Sequence, residues 1–164
     1  MFTPKRFGAI SCGLAAAISF TLVPATSASA AGGFPVRNAY SGKCLEVADW
    51  STSNGAVVRQ WECTGGANQQ WTGNGTILKN VNSGKCLEIA DWSTAYGAAA
   101  RQWDCTGGAN QQWTFWQSAD SIHVSIQNKH SRLWLEIPGM SRANGTQAAQ
   151  WGENTGYNQV WMYN

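Results

Sequence analysis

Charge is scarce in this chain, and so are the groups that carry most enzyme chemistry. Asp, Glu, Lys and Arg make up 12% of the residues, and there are two histidines, His123 and His130, which belong to no visible constellation. Lys5 and Arg6 account for two of the eleven basic residues; the other nine balance nine acidic ones. A neutral chain offers no electrostatic footprint to nucleic acid or an anionic membrane. No histidine lies near a cysteine of a repeat, no glycine-rich phosphate loop is present, and the cysteines form no C-x-x-C pairs, so no metal site and no cofactor is expected. Helical periodicity is missing throughout. The one long apolar run, residues 7–23, follows Lys5-Arg6, is interrupted by Gly and Ser, and is followed by Pro24 and then Ala28-Ser29-Ala30. That pattern is expected for a signal peptide over residues 1–30, removed on export, rather than for a membrane span.

What remains, residues 31–164, is long enough for one domain with a core. All ten tryptophans lie in it, an aromatic surplus suited to stacking on neutral ligands. It also holds four cysteines, Cys44, Cys63, Cys86 and Cys105, an even number that fits an oxidising, extracellular compartment.

Residues 41–71 and 83–113 are identical at 25 of 31 positions, and a worn third copy at 131–161 keeps Leu135-Glu136-Ile137, Gly145, Gln150-Trp151, Asn158-Gln159 and Trp161. Such a repeat pairs Cys44 with Cys63 and Cys86 with Cys105. Within a copy, strand-like alternation is broken by Gly-rich punctuation at Asn54-Gly55 and Gly65-Gly66. Asn74-Gly75 and Asn144-Gly145 read as hairpin turns rather than glycosylation sites. Openers at 35–39, 76–81 and 122–128 bring the count to about four strands per copy and twelve in all, with copies at roughly 34–73, 74–119 and 120–164. Three copies are too few for a propeller and point to a threefold closed barrel with a hairpin cap.

The three endings Gln69-Gln70-Trp71, Gln111-Gln112-Trp113 and Gln159-Val160-Trp161, in phase with Cys-Leu-Glu and Trp-Glu-Cys, resemble the ricin B-type β-trefoil lectins. That family includes the family 13-like carbohydrate-binding modules attached to bacterial xylanases and arabinofuranosidases. The resemblance covers essentially all of residues 31–164 and implies an all-β, pseudo-threefold β-trefoil and a secreted, stand-alone carbohydrate-binding protein.

A cross-strand disulfide from Cys44 to Cys63 places Glu46 opposite Trp61, because antiparallel partners keep a constant sum; the second copy places Glu88 opposite Trp103 in the same way. A carboxylate beside an indole suits a neutral sugar, whose C–H face packs on the ring while its hydroxyls donate to the carboxylate. The resemblance implies carbohydrate-binding sets at Glu46, Trp61, Asn68 and Gln69, at Glu88, Trp103, Asn110 and Gln111, and at Glu136, Trp151, Asn158 and Gln159. Here glutamate stands where the family usually has aspartate. Arg59, Arg101 and Ala149 stand where galactose-binding relatives often have glutamine, an arginine being able either to donate to sugar oxygens or to neutralise Glu46. In the third copy Trp134 and Glu153 replace the cysteines, and Gly139-Met140 replaces Asp49-Trp50 and Asp91-Trp92.

Trp71, Trp113 and Trp161 are expected in the core, and Trp50 and Trp92 on exposed loops. One repeated set of groups argues for binding and against a single catalytic centre, even though Glu46 with Asp49 could imitate a glycosidase pair. The expected partner is a glycan or polysaccharide, engaged by a monomer with no membrane insertion. The second reading is a lectin-like adaptor subunit of a secreted assembly, such as a toxin particle, in contact with other secreted proteins.

Overall fold

Alternation sets the strands, and the repeat sets how many there are. The structure is a computed structural model that describes residues 32–163, so the signal-peptide reading of residues 1–30 lies outside the described residues. The first lobe contains β1 (Phe34–Pro35), β2 (Arg37–Asn38), β3 (Cys44–Val47), β4 (Val58–Trp61) and β5 (Gln70–Gly73). The second contains β6 (Leu78–Asn80), β7 (Cys86–Ile89), β8 (Ala100–Trp103) and β9 (Trp113–Gln117). The third contains β10 (His123–Asn128), β11 (Trp134–Glu136), β12 (Ala149–Trp151) and β13 (Val160–Met162). The opener expected over 35–39 is two strands on either side of Val36, which is why thirteen strands rather than twelve occur among the described residues.

The outer strands of each lobe pair as a barrel. β5 joins β1 and β6, β10 joins β9 and β13, and β13 joins β2. Trp113 N donates to Thr76 O at 2.8 Å, tying β9 to the segment ahead of β6. The hairpins β3–β4, β7–β8 and β11–β12 form the cap, and bridges Val57↔Arg101, Arg59↔Gln147 and Ala99↔Ala149 knit them to one another. The fold is a β-trefoil.

Trp71, Trp113 and Trp161 are fully buried, and their Nε1 atoms donate to the carbonyls of Leu45, Leu87 and Leu135 at 2.9, 3.1 and 3.1 Å. A buried indole is tolerated only when its N–H is paired, and here each pairing also fixes a barrel strand to a cap strand. Around them sit Leu45, Val47, Leu87, Ile89, Leu135 and Ile137, the inward-facing residues of the three hairpins.

The lobes are also fastened by buried amides. Gln60 Nε2 donates to Ser141 O and Ala143 O of the third lobe, Gln102 Nε2 to Ser51 O and Ser53 O of the first, and Gln150 Nε2 to Ser93 O and Ala95 O of the second. Each lobe thereby holds a loop of another, and the three clasps close a ring.

Candidate functional site

Directly opposed residues of an antiparallel pair project to the same face. In the first hairpin the partners are Cys44↔Trp61 and Glu46↔Arg59, and in the second Cys86↔Trp103 and Glu88↔Arg101. The pairing therefore lies two residues away from the expected register. The disulfides do form, Cys44–Cys63 and Cys86–Cys105, each with Cα atoms 5.1 Å apart. Cys63 and Cys105, however, lie beyond the ends of β4 and β8, so each bridge reaches diagonally and does not mark a strand partner. Glutamate and tryptophan still share the outer face, but the residue across from the glutamate is an arginine.

That arginine fills the site. Arg59 Nε donates to Glu46 Oε1 at 2.9 Å, its Nη2 donates to Asp49 Oδ1 at 3.0 Å, and its guanidinium carbon lies 4.4 Å from the Trp61 ring centre. Arg101 repeats this with Glu88, Asp91 and Trp103 at 2.8, 3.0 and 4.6 Å. Burial opposes the charge on each arginine, but the hydrogen bonds and the fields of the two carboxylates prevail and hold both guanidinium groups above their ordinary pKa. Asp49 and Asp91 reach these positions from left-handed backbone, φ 53° and 55°, a conformation that Asp tolerates better than most residues.

Beneath the arginine the carboxylate is held by amides. Glu46 Oε2 accepts from Gln69 Nε2 at 2.9 Å and from Asn68 Nδ2 at 3.3 Å. Gln69 also donates to Glu62 O and accepts from Thr64 N, so it is spent within the protein. Asn68 donates to Val47 O, and its Oδ1 is buried with no donor in reach. Asn110 and Asn158 repeat this arrangement, unpaired Oδ1 included. Trp50 lies across Gly66, where a Cβ would stand 2.7 Å from its ring; glycine is required there. Trp50 and Trp92 are exposed as expected, and His130 is half-buried edge-on against Trp92.

The third lobe departs at one decisive position. Ala149 faces Glu136, so no guanidinium enters. Glu136 Oε2 accepts from Gln159, Asn158 and Asn154 at 3.1, 3.2 and 3.4 Å, while no donor among the described residues reaches Oε1. Burial raises the Glu136 pKa despite the amides of Gln159 and Asn158. Trp151 is 42% exposed, whereas Trp61 and Trp103 are half-buried. The resulting cleft, lined by Glu136, Pro138, Met140, Trp151, Asn158 and Gly97 of the second lobe, measures about 360 Å³. The corresponding clefts of the first and second lobes measure about 200 and 240 Å³.

Sequence reasoning missed two further sets of residues. One is the clasp glutamines Gln60, Gln102 and Gln150. The other is Asn38, Asn80 and Asn128, whose Nδ2 atoms donate to the backbone carbonyls of Asn158, Asn68 and Asn110 and so anchor the turns that carry the site amides. The signal for both was their presence at the same phase in every copy, the worn one included.

The sequence matches the family described as Ricin-type beta-trefoil lectin domain-like in three overlapping registers, residues 19–103, 73–151 and 109–163. Among solved structures, the designed threefold-symmetric protein ThreeFoil is 35% identical with a TM-score of 0.77, over 80% of this chain and 97% of that one. The exo-β-1,3-galactanase 1,3Gal43A from Clostridium thermocellum is 32% identical with a TM-score of 0.75, over 80% of this chain and 29% of that one. A curated relative, Serine protease 1 of Rarobacter faecitabidus, is 47% identical over 34 residues, 21% of this chain and 6% of the protease.

Proposed function

Because the chain belongs to the ricin-type β-trefoil lectin domain-like family, we propose that it is a secreted, non-enzymatic lectin for neutral glycans, and that the cleft of its third lobe is the principal site. The observation that carries this is the unoccupied Oε1 of Glu136 beside the exposed face of Trp151, with no cation across either. A pyranose can lay its C–H face on the indole while a hydroxyl donates to Oε1 in a charge-assisted bond. Asn158 lines the same cleft. Gln159, like Gln69 and Gln111, holds the carboxylate from behind and positions it rather than touching sugar.

Lobes one and two present Glu46 with Trp61 and Glu88 with Trp103 already engaged by arginine, so a sugar there must displace or share the guanidinium. They act as weaker, secondary sites. Glu136 is the one carboxylate lining the third cleft, which does not match the acid-and-base pair that glycoside hydrolysis requires. The two disulfides support an oxidising destination. The galactanase named above acts on a galactan, and a neutral polysaccharide is the ligand class proposed here.

The test is a glycan array with oxidised residues 31–164, followed by calorimetry on the best ligand. Glu136→Gln and Trp151→Ala are each expected to weaken binding at least tenfold in folded protein. Undiminished binding by both variants overturns the assignment of the site.

A further inference from the structure

The outer face of the third lobe carries more aromatic surface than one sugar ring needs. Across β9, β10, β11 and β12 the opposed residues are Trp116↔Ser125, Gln127↔Trp134 and Trp134↔Trp151, so all five side chains project to one face. The Trp116 and Trp134 ring centres are 6.3 Å apart, and Tyr96, from a turn of the second lobe, lies 5.1 Å from Trp151. Tyr96, Trp116 and Trp151 are 61%, 53% and 42% exposed. Two ring pairs, Trp116 with Trp134 and Tyr96 with Trp151, are thus brought side by side by the Trp134↔Trp151 register.

The same ground in the other lobes is charged and crosslinked. There Arg37 and Lys79 face Cys44 and Cys86, and Lys43–Glu62 and Lys85–Asp104 form ion pairs beside the disulfides. In the third lobe Gln127 takes the place of those basic residues and Trp134 that of the cysteine. Leu133 and Gly152 take the places of the ion pair. Gly152 is what admits Tyr96, since a Cβ there would stand 3.1 Å from the phenol oxygen. The exchanges at Gln127, Leu133 and Gly152 remove charge, Trp134 puts aromatic surface where a disulfide stood, and Glu153 brings one carboxylate to its edge.

We infer that the third lobe binds several consecutive residues of a neutral polysaccharide chain, laid over Tyr96, Trp151, Trp134 and Trp116, rather than a single terminal sugar. This rests on the reading of the Glu136 cleft as a sugar site. Ser125, Glu153 and Thr155 border a small polar recess of about 70 Å³ beside Trp134. Aromatic faces flanked by hydroxyl and carboxylate groups match alternating C–H and O–H surface along a saccharide chain.

The experiment measures calorimetric affinities of oxidised residues 31–164 for galactose and xylose and for hexasaccharides of β-1,3-galactan and arabinoxylan. Wild type is expected to bind one hexasaccharide at least tenfold more tightly than its monosaccharide. Trp116→Ala is expected to reduce that margin about three- to tenfold, roughly one stacked ring. Trp134→Cys combined with Glu153→Cys, which copies the bridged arrangement of the other lobes and so guards the fold, is expected to do the same. Both variants keep monosaccharide affinity within twofold. Equal wild-type affinity for monosaccharide and hexasaccharide, or a margin that survives in both variants, overturns the platform and leaves the cleft standing. Monosaccharide binding unaffected by Glu136→Gln overturns the cleft itself, and failure of wild type to bind any of the four probes overturns both.

Discussion

Glu46 and Glu136 are the same residue type at the same place in the repeat, yet their two oxygens meet different company. Both oxygens of Glu46 are engaged within the protein, one by Arg59, whereas Oε1 of Glu136 has no donor among the described residues. Arg59→Ala should therefore turn the first cleft into a likeness of the third. It is expected to raise the number of glycan sites measured by calorimetry and to lower the unfolding free energy by about 1–3 kcal/mol, since the arginine satisfies a buried carboxylate. Titration follows from the same difference. Burial raises the Glu136 pKa, so the folded state favours its protonated form; the associated stability is complete below the unfolded-state pKa and is lost as pH rises through the raised value. Glu136→Gln should flatten that loss in urea midpoints measured across the weakly acidic range. Glycan affinity should run the opposite way, strengthening as Glu136 ionises, because a hydroxyl donates better to the anion.

At the scale of the hairpins, the covalent bridges of the first two lobes each close a loop with a sequence separation of 19, worth about 3 kcal/mol in the unfolded chain. Reduction is expected to lower the denaturation midpoint accordingly, while third-lobe binding persists wherever the protein stays folded, since Trp134 and Glu153 leave that hairpin with no bridge to lose. The hairpins also show what a reader of the bare sequence could recover. Threefold repetition, cysteine pairing and the buried Trp71, Trp113 and Trp161 were legible because each recurs in phase. The register was not. It was inferred from Cys44 and Cys63 as direct partners, but Cys63 sits past the end of β4, and the two-residue offset put Arg59 where Trp61 was expected. The arginine's contact with both Glu46 and Asp49 depends on that offset and on the left-handed turn at Asp49, neither of which spacing alone reveals.

Across the whole molecule, Gln60, Gln102 and Gln150 bind backbone carbonyls about 50 to 80 positions away in sequence. Such fastenings were invisible in the sequence because their partners are carbonyl groups, which carry no side-chain signature. Gln60→Ala would leave the carbonyls of Ser141 and Ala143 without their buried donor. It is expected to cost about 2–4 kcal/mol and to preserve a single unfolding transition by fluorescence and circular dichroism, because no clasp can open without loosening two lobes. The closed ring bears on how such a protein can be altered. Gly97 walls the cleft whose carboxylate belongs to the next lobe, and a Cβ there would stand 3.5 Å from the indole of Trp151; Cβ atoms at Gly55 and Gly145 would likewise stand 3.6 Å from Trp103 and Trp61. Ownership of that pocket is therefore divided between tenants: grafting the third lobe alone into a foreign trefoil would leave one wall of its recess behind, so a change of sugar preference there has to be made across a seam.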